Sequence, residues 1–202
     1  MIRQFIDPKL EKLLRTRILS DLDSGRKNFD RPHTEAVVHW MKTLISELSN
    51  RKELDSLVLI TAAYAHDWGY YKLFEGVNSD DPAEISKMKP KHMLRGSQMI
   101  SEYIKSNLDA WYSSSQVEAI AHLVLVHDNV EDLNTENEIL IMEADTLGML
   151  DTDLVKPTFT KEENDHFISN QIKKRRIPRF QHEFAIKKAM ELTKNRIKFY
   201  SS

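Results

Sequence analysis

Residues 57–72, LVLITAAYAHDWGYYK, decide how the rest of the chain is read. The apolar run from Leu57 to Ala65 predicts a helix buried on most sides. It ends in an imidazole and a carboxylate, His66 and Asp67, followed by Gly69 and the tyrosines Tyr70 and Tyr71. Withdrawing both polar groups from water is costly unless something inside the protein binds them. A divalent metal would do so, which raises the question of further ligands.

The 202 residues fit one large domain, long enough to bury a substantial core. With 41% apolar and 30% charged residues, and few Gly and Pro, the composition predicts a mostly helical globular protein. A net charge of -2 gives no bias toward nucleic acid or anionic membrane. The absence of cysteine excludes disulfides, thiolate zinc sites and cysteine nucleophiles, so any metal is held by nitrogen and oxygen. The N-terminal MIRQFIDPKLEKLLR lacks the apolar stretch of a secretory signal. The apolar runs at 57–65 and 119–126 are too short to span a bilayer. The expectation is a cytoplasmic protein with no membrane partner and no stable nucleic-acid partner.

Working outward, helical spacing of Leu10, Leu13, Leu14, Ile18 and Leu22 predicts a helix from Pro8 to Leu22, ended by Ser24-Gly25. RKNFDRP reads as a loop whose Pro32 opens a helix, with His33, Val37, Met41, Leu44 and Leu48 on one stripe. Asn50-Arg51 breaks that pattern. Residues 68–89 read as a long connection with a short helix near Glu84–Met88, and long connections of this kind often carry function. A helix is then predicted to start after Pro90, aligning His92, Gly96, Met99 and Tyr103. Further helices are predicted over about Ser115–Val126, Glu136–Leu150 and Arg179–Tyr200. With no β-alternation and no repeat, the class is all-α, one domain over residues 1–202. Its core covers about residues 30–155, and a C-terminal helical extension covers 156–202. The KKRR run at 173–176 reads as a solvated helix end rather than a nucleic-acid patch, since no basic surplus exists elsewhere.

His33, His66, Asp67, His92, His127 and Asp145 thus face inward from five successive helices. Neutral imidazole and carboxylate suit divalent iron, manganese, zinc, cobalt or magnesium. His33 and His92 follow a proline at an expected helix N-terminus, where the dipole disfavours a protonated ring and leaves the lone pair free. Each has a plainer reading. A single histidine on an apolar stripe is more often a core residue, Asp67 can end its helix, and Asp145 can be the partner of a buried arginine. His122 and His127 stand five residues apart, about 140° around a helix, and do not share a site. His127 lies on the Ile120/Val124 stripe and is taken as the ligand, with His122 structural. Asp128 either faces solvent or supports a ligand, and His39, His166 and His182 are expected at the surface.

The ordered set resembles the HD-domain superfamily of metal-dependent phosphohydrolases. The resemblance rests on His33 in HTEAV, His66-Asp67 in AHDWG and Asp145 in EADTLG, and spans about residues 30–155. It implies an all-helical core in which these four residues ligate a metal. Subgroups with a second ion add histidines between the pair and the last aspartate. His92 in KHMLRGSQMI and His127 in LVLVHDN match those additions, and Asp67 then bridges two ions. Tyr70 stands where several subfamilies carry a lysine, with Lys72 two residues late. There is no GYP motif or adjacent histidine pair, and the insertions of the large triphosphohydrolases and alarmone enzymes are missing.

The implied function is hydrolysis of a small phosphorylated substrate, of nucleotide class, through water activated by one or two divalent ions, with His66 and Asp67 central. Arg95, Lys72 and Lys91 are the candidates to bind phosphate. Trp68, Tyr70 and Tyr71 are candidates to stack on a base, or else core or rim residues. A di-iron oxygenase on the same ligands and a non-catalytic nucleotide-binding module are the alternatives.

Overall fold

The computed structural model describes residues 5–26, 28–48, 54–79 and 81–201. The break read at Asn50-Arg51 lies outside them. Helix α1, Pro8–Leu14, is capped by Asp7, whose carboxylate accepts from Lys9 N, and continues through a π-helical turn, Arg15–Leu19, into Ser20–Leu22. Leu10, Leu14, Ile18 and Leu22 are buried at four-residue spacing, whereas Leu13, expected on that stripe, is 44% exposed.

Helix α2, Asp30–Leu48, leads to α3, Ser56–Ala65, which is capped by Asp55 accepting from Val58 N. Every residue of α3 from Val58 to Ala65 is buried. Such a helix has no polar face to offer water, so it forms the centre of the bundle, with about 1.5–3 kcal/mol gained per large aliphatic side chain. A 3₁₀ turn, Trp68–Tyr70, follows. Helix α4, Pro82–Tyr103, is capped by Asp81. Helices α5, Ser114–Val126, and α6, Glu136–Leu150, each begin with a capping box, Ser113/Gln116 and Thr135/Glu138. Helix α7, Lys161–His166, runs into a π-helical segment, Phe167–Arg176, and α8, Glu183–Phe199, closes the chain.

The fold is all-α, with no strand among the described residues. Helix α3 contacts α2, α5 and α6, α4 pairs with α5, and α8 packs on α6. None of the helices is long and apolar enough to cross a membrane among the described residues.

One element differs from expectation. Helix α4 starts at Pro82 and carries Pro90 inside it, so His92 sits in mid-helix rather than at an N-terminus. The prolines look alike in sequence. Asp81 before Pro82 supplies the side-chain cap that the residue before Pro90, a lysine, does not.

Candidate metal centre

His66 and His127 each occupy the C-terminal cap of a helix, α3 and α5. In each, Nδ1 donates to the carbonyl three residues earlier, Ala63 O and Val124 O, both at 2.8 Å. That bond fixes the tautomer and leaves a lone pair on Nε2 pointing into the site. His66 Nε2 lies 3.3 Å from His33 Nε2, which is 3.0 Å from Asp145 Oδ1. His127 Nε2 lies 3.4 Å from His92 Nε2, which is 3.3 Å from Asp67 Oδ1. The other oxygen of Asp67, Oδ2, faces the first group, 3.6 Å from His66 Nε2 and 3.8 Å from His33 Nε2. Asp67 therefore stands between two buried triads, His33/His66/Asp145 and Asp67/His92/His127, whose ligand atoms lie within 4.8 Å of one another in each.

His33 and His92 are held differently. Neither Nδ1 has a hydrogen-bond partner. His33 stacks on Phe29 at 5.1 Å, and His92 stacks on Tyr70 at 4.0 Å with the rings 9° apart. Gly69 makes the second stack possible, because a Cβ there would stand 1.9 Å from His92 O. Tyr70, in the place of the family lysine, is thus a buried support for a ligand ring. Trp68 is also buried, with its indole donating to Asp21.

The electrostatics follow from these contacts. Burial lowers His66 to about 4, with Asp67 opposing and His33 reinforcing the shift. Burial likewise lowers His92. Burial would lower His127, but the carboxylates of Asp67, 3.7 Å away, and Asp128 outweigh it and raise the ring. Burial favours neutral Asp67 and Asp145, yet both are held well below the carboxylate range, Asp67 by His66 and the hydrogen bonds of His127 and His92, Asp145 by Arg176 and His33.

Two arginines brace the carboxylates, and neither is evident from the ligand pattern. Arg26 donates from Nη2 to Asp67 Oδ2 at 3.0 Å and from Nε to the buried Asp30 at 2.6 Å, with its head 4.2 Å from the Tyr70 ring centre. Arg176 donates to Asp145 Oδ2 at 2.7 Å and to Asp128, which also pairs with Lys89 at 2.7 Å. Asp128 is therefore a buried support of the site, held at about 2 by Arg176 and Lys89 against its burial. The KKRR run is only partly a solvated helix end. Lys173 and Lys174 are exposed, but Arg176 is buried. The readable signal is the four-residue spacing of Ile168, Ile172 and Arg176, all buried on one side of the segment.

The remaining residues fall outside the centre. Arg95 donates to the carbonyls of Tyr71 and Gly69, so it braces the turn after Asp67. Lys72, at φ 55°, extends beside Glu75 and the Tyr71 ring, and Lys91 is exposed. None of the three lines the cavity over the metal centre. His122 pairs with Glu138 at 2.6 Å, away from the site. His39 and His166 are exposed, whereas His182, expected at the surface, is mostly buried between Glu143 and Glu136.

The cavity measures about 450 Å³, within the range of small-molecule sites. His33, Asp67, His127 and Asp145 form its floor, and Phe159, Phe167 and Arg196 from the C-terminal segment form its far wall. The donor set fits divalent metal, since the Nε2 atoms of two histidines anchored through Nδ1 converge with buried carboxylate oxygens. A helical bundle carrying two neighbouring buried histidine–aspartate triads defines the class. Residues 32–150, more than half of the chain, match the HD domain family, and the chain belongs to it. No curated protein and no solved structure matches the chain.

Proposed function

We propose that the protein is a metal-dependent phosphohydrolase acting on a small phosphate ester of nucleotide class, with two divalent ions. The observation that carries this reading is Asp67, one oxygen of which faces each buried triad. His33, His66 and Asp145 would hold one ion, His92 and His127 the other, with Asp67 shared. Bound ions of this kind bring the pKa of a held water into the neutral range and offset charge on phosphate oxygens.

The chain's own residues do the rest. Arg176 holds Asp145 through Oδ2 and leaves Oδ1 aimed at His33, while Arg26 pins Asp67 through Oδ2 on the side of His33 and His66. Tyr70 and Phe29 hold the two rings that lack a backbone anchor. Lys89, 41% exposed, brings positive charge to the cavity wall. Charge balance supports an anionic substrate. Asp30, Asp67, Asp128, Asp145 and Glu163 against Arg26, Lys89, Arg176 and Arg196 leave a single negative charge, and two divalent ions would turn it into a positive surplus.

The test is phosphate release from a panel of nucleotides under anaerobic conditions with Mn²⁺ or Co²⁺. Release that disappears in His66→Ala and Asp67→Ala is expected. Turnover that requires iron and O₂ and yields no phosphate contradicts the hydrolase reading.

A further inference from the structure

Three arginines line the cavity, and they are compensated unequally. Arg26 pairs with Asp30 and Asp67, and Arg176 with Asp145 and Asp128. Arg196 is as deeply placed, 4% exposed, yet no carboxylate among the described residues stands within ion-pair distance of it. Its Nε donates to Asn164 Oδ1 and its Nη1 to Met149 O, both at 2.7 Å. Phe159 and Phe167 lie against the head, ring centres 5.6 and 5.3 Å away. Among the described residues Nη2 has no hydrogen-bond partner, and the side chain lines the cavity.

A buried cation without a counter-charge is expensive, and the carboxyl end of α6, reached at Met149, offsets only a fraction of a charge. The contrast appears in the proton affinities. Burial lowers Arg196, whereas Asp30 and Asp145 outweigh burial and raise Arg26 and Arg176. The nearby Glu163 is committed to capping α7, its carboxylate accepting from Thr160 N.

We propose that Arg196 with Phe159 and Phe167 forms a second anion subsite, so that the preferred substrate is a phosphate ester whose leaving group carries its own anionic group, carboxylate or phosphate. This rests on the hydrolase reading for the position of the first phosphate. Asp145 and Met149 both line the cavity, one turn apart on α6, so a leaving group bearing an anion would reach along that wall from the metal centre toward Arg196. The subsite lies outside residues 32–150, on the segment that the family match does not cover.

Binding to Mn²⁺-loaded protein tests this with three probes of one shape: phenyl phosphate, 4-carbamoylphenyl phosphate and 4-carboxyphenyl phosphate. The carboxylate probe is expected to bind about tenfold tighter than the carbamoyl probe, the effect of one charge-assisted hydrogen bond. Arg196→Gln should bring that ratio close to one, and Arg196→Lys should keep part of it. The wild-type ratio needs no variant to fold, so equal binding of the two probes by the wild type overturns the subsite while leaving the hydrolase reading intact. If none of the three probes binds, the phosphate site itself is wrong and both readings fall.

Discussion

His66 and His127 occupy the same place on two different helices and make the same backbone hydrogen bond, yet their rings are tuned in opposite directions. Around His66, burial dominates, and both neighbouring carboxylates, Asp67 at 3.6 Å and Asp145 at 4.0 Å, already accept from arginines, Arg26 and Arg176. Around His127, Asp67 Oδ1 stands 3.7 Å from Nε2 and Asp128 adds its charge from the next residue. In the metal-free protein His66 therefore gives up its proton more readily than an ordinary imidazole, and His127 less readily. Two sites of nearly identical composition thus differ in readiness for metal. Binding at the second should release a proton and weaken more steeply as pH falls.

The comparison breaks most completely at the residue both triads share. Asp67→Ala should abolish binding of both ions as a pair and lower phosphate release by more than the ~100-fold expected for residues one layer out. Metal analysis and turnover on the same preparation check this. Arg176→Met separates the triads instead. It leaves Asp145 and Asp128 buried without their shared cation, which should cost the metal-free protein about 3–5 kcal/mol in urea unfolding. Affinity at the His33/His66/Asp145 triad should fall by about 10–100-fold, with the other triad little changed.

Titration sharpens the contrast further. His66 is lowered from 6.5 to about 4, so its contribution is fully present above pH 6.5 and is lost as pH falls to about 4. The loss amounts to roughly 3 kcal/mol. His127 is raised, so its contribution is present below pH 6.5 and is lost as pH rises through its folded value. NMR of the imidazoles in metal-free protein should show His127 titrating above pH 6.5 and His66 near pH 4. The smallest effect belongs to the histidine outside both triads. His122→Asn should cost about 0.2–1 kcal/mol through its pair with Glu138 and leave metal content unchanged.

The ligands were legible because each ends or lines an apolar helical stripe, where an imidazole or carboxylate stands out. Their supports were not. Arg26 sits in a loop with no periodicity to place it, and Arg176 hides in a basic run whose composition suggests solvent. His92 lies on the face its spacing predicts, but Pro90 is inside α4, so burial rather than a helix N-terminus lowers that ring's proton affinity. The phosphate-binding cations expected from sequence follow the ligands along the chain, Lys72 after the pair and Lys91 and Arg95 beside His92. The cations that line the cavity, Arg26, Lys89, Arg176 and Arg196, come from elements on either side of it, which spacing along one segment does not reveal.

Titration of Mn²⁺ into the metal-free protein, followed by electron paramagnetic resonance, tests the bridging role of Asp67 most directly. Two ions per chain with exchange coupling between them, and loss of the coupling in Asp67→Ala, are expected. Saturation at a single isolated ion, or two ions without coupling, would contradict a shared carboxylate at the centre of the site.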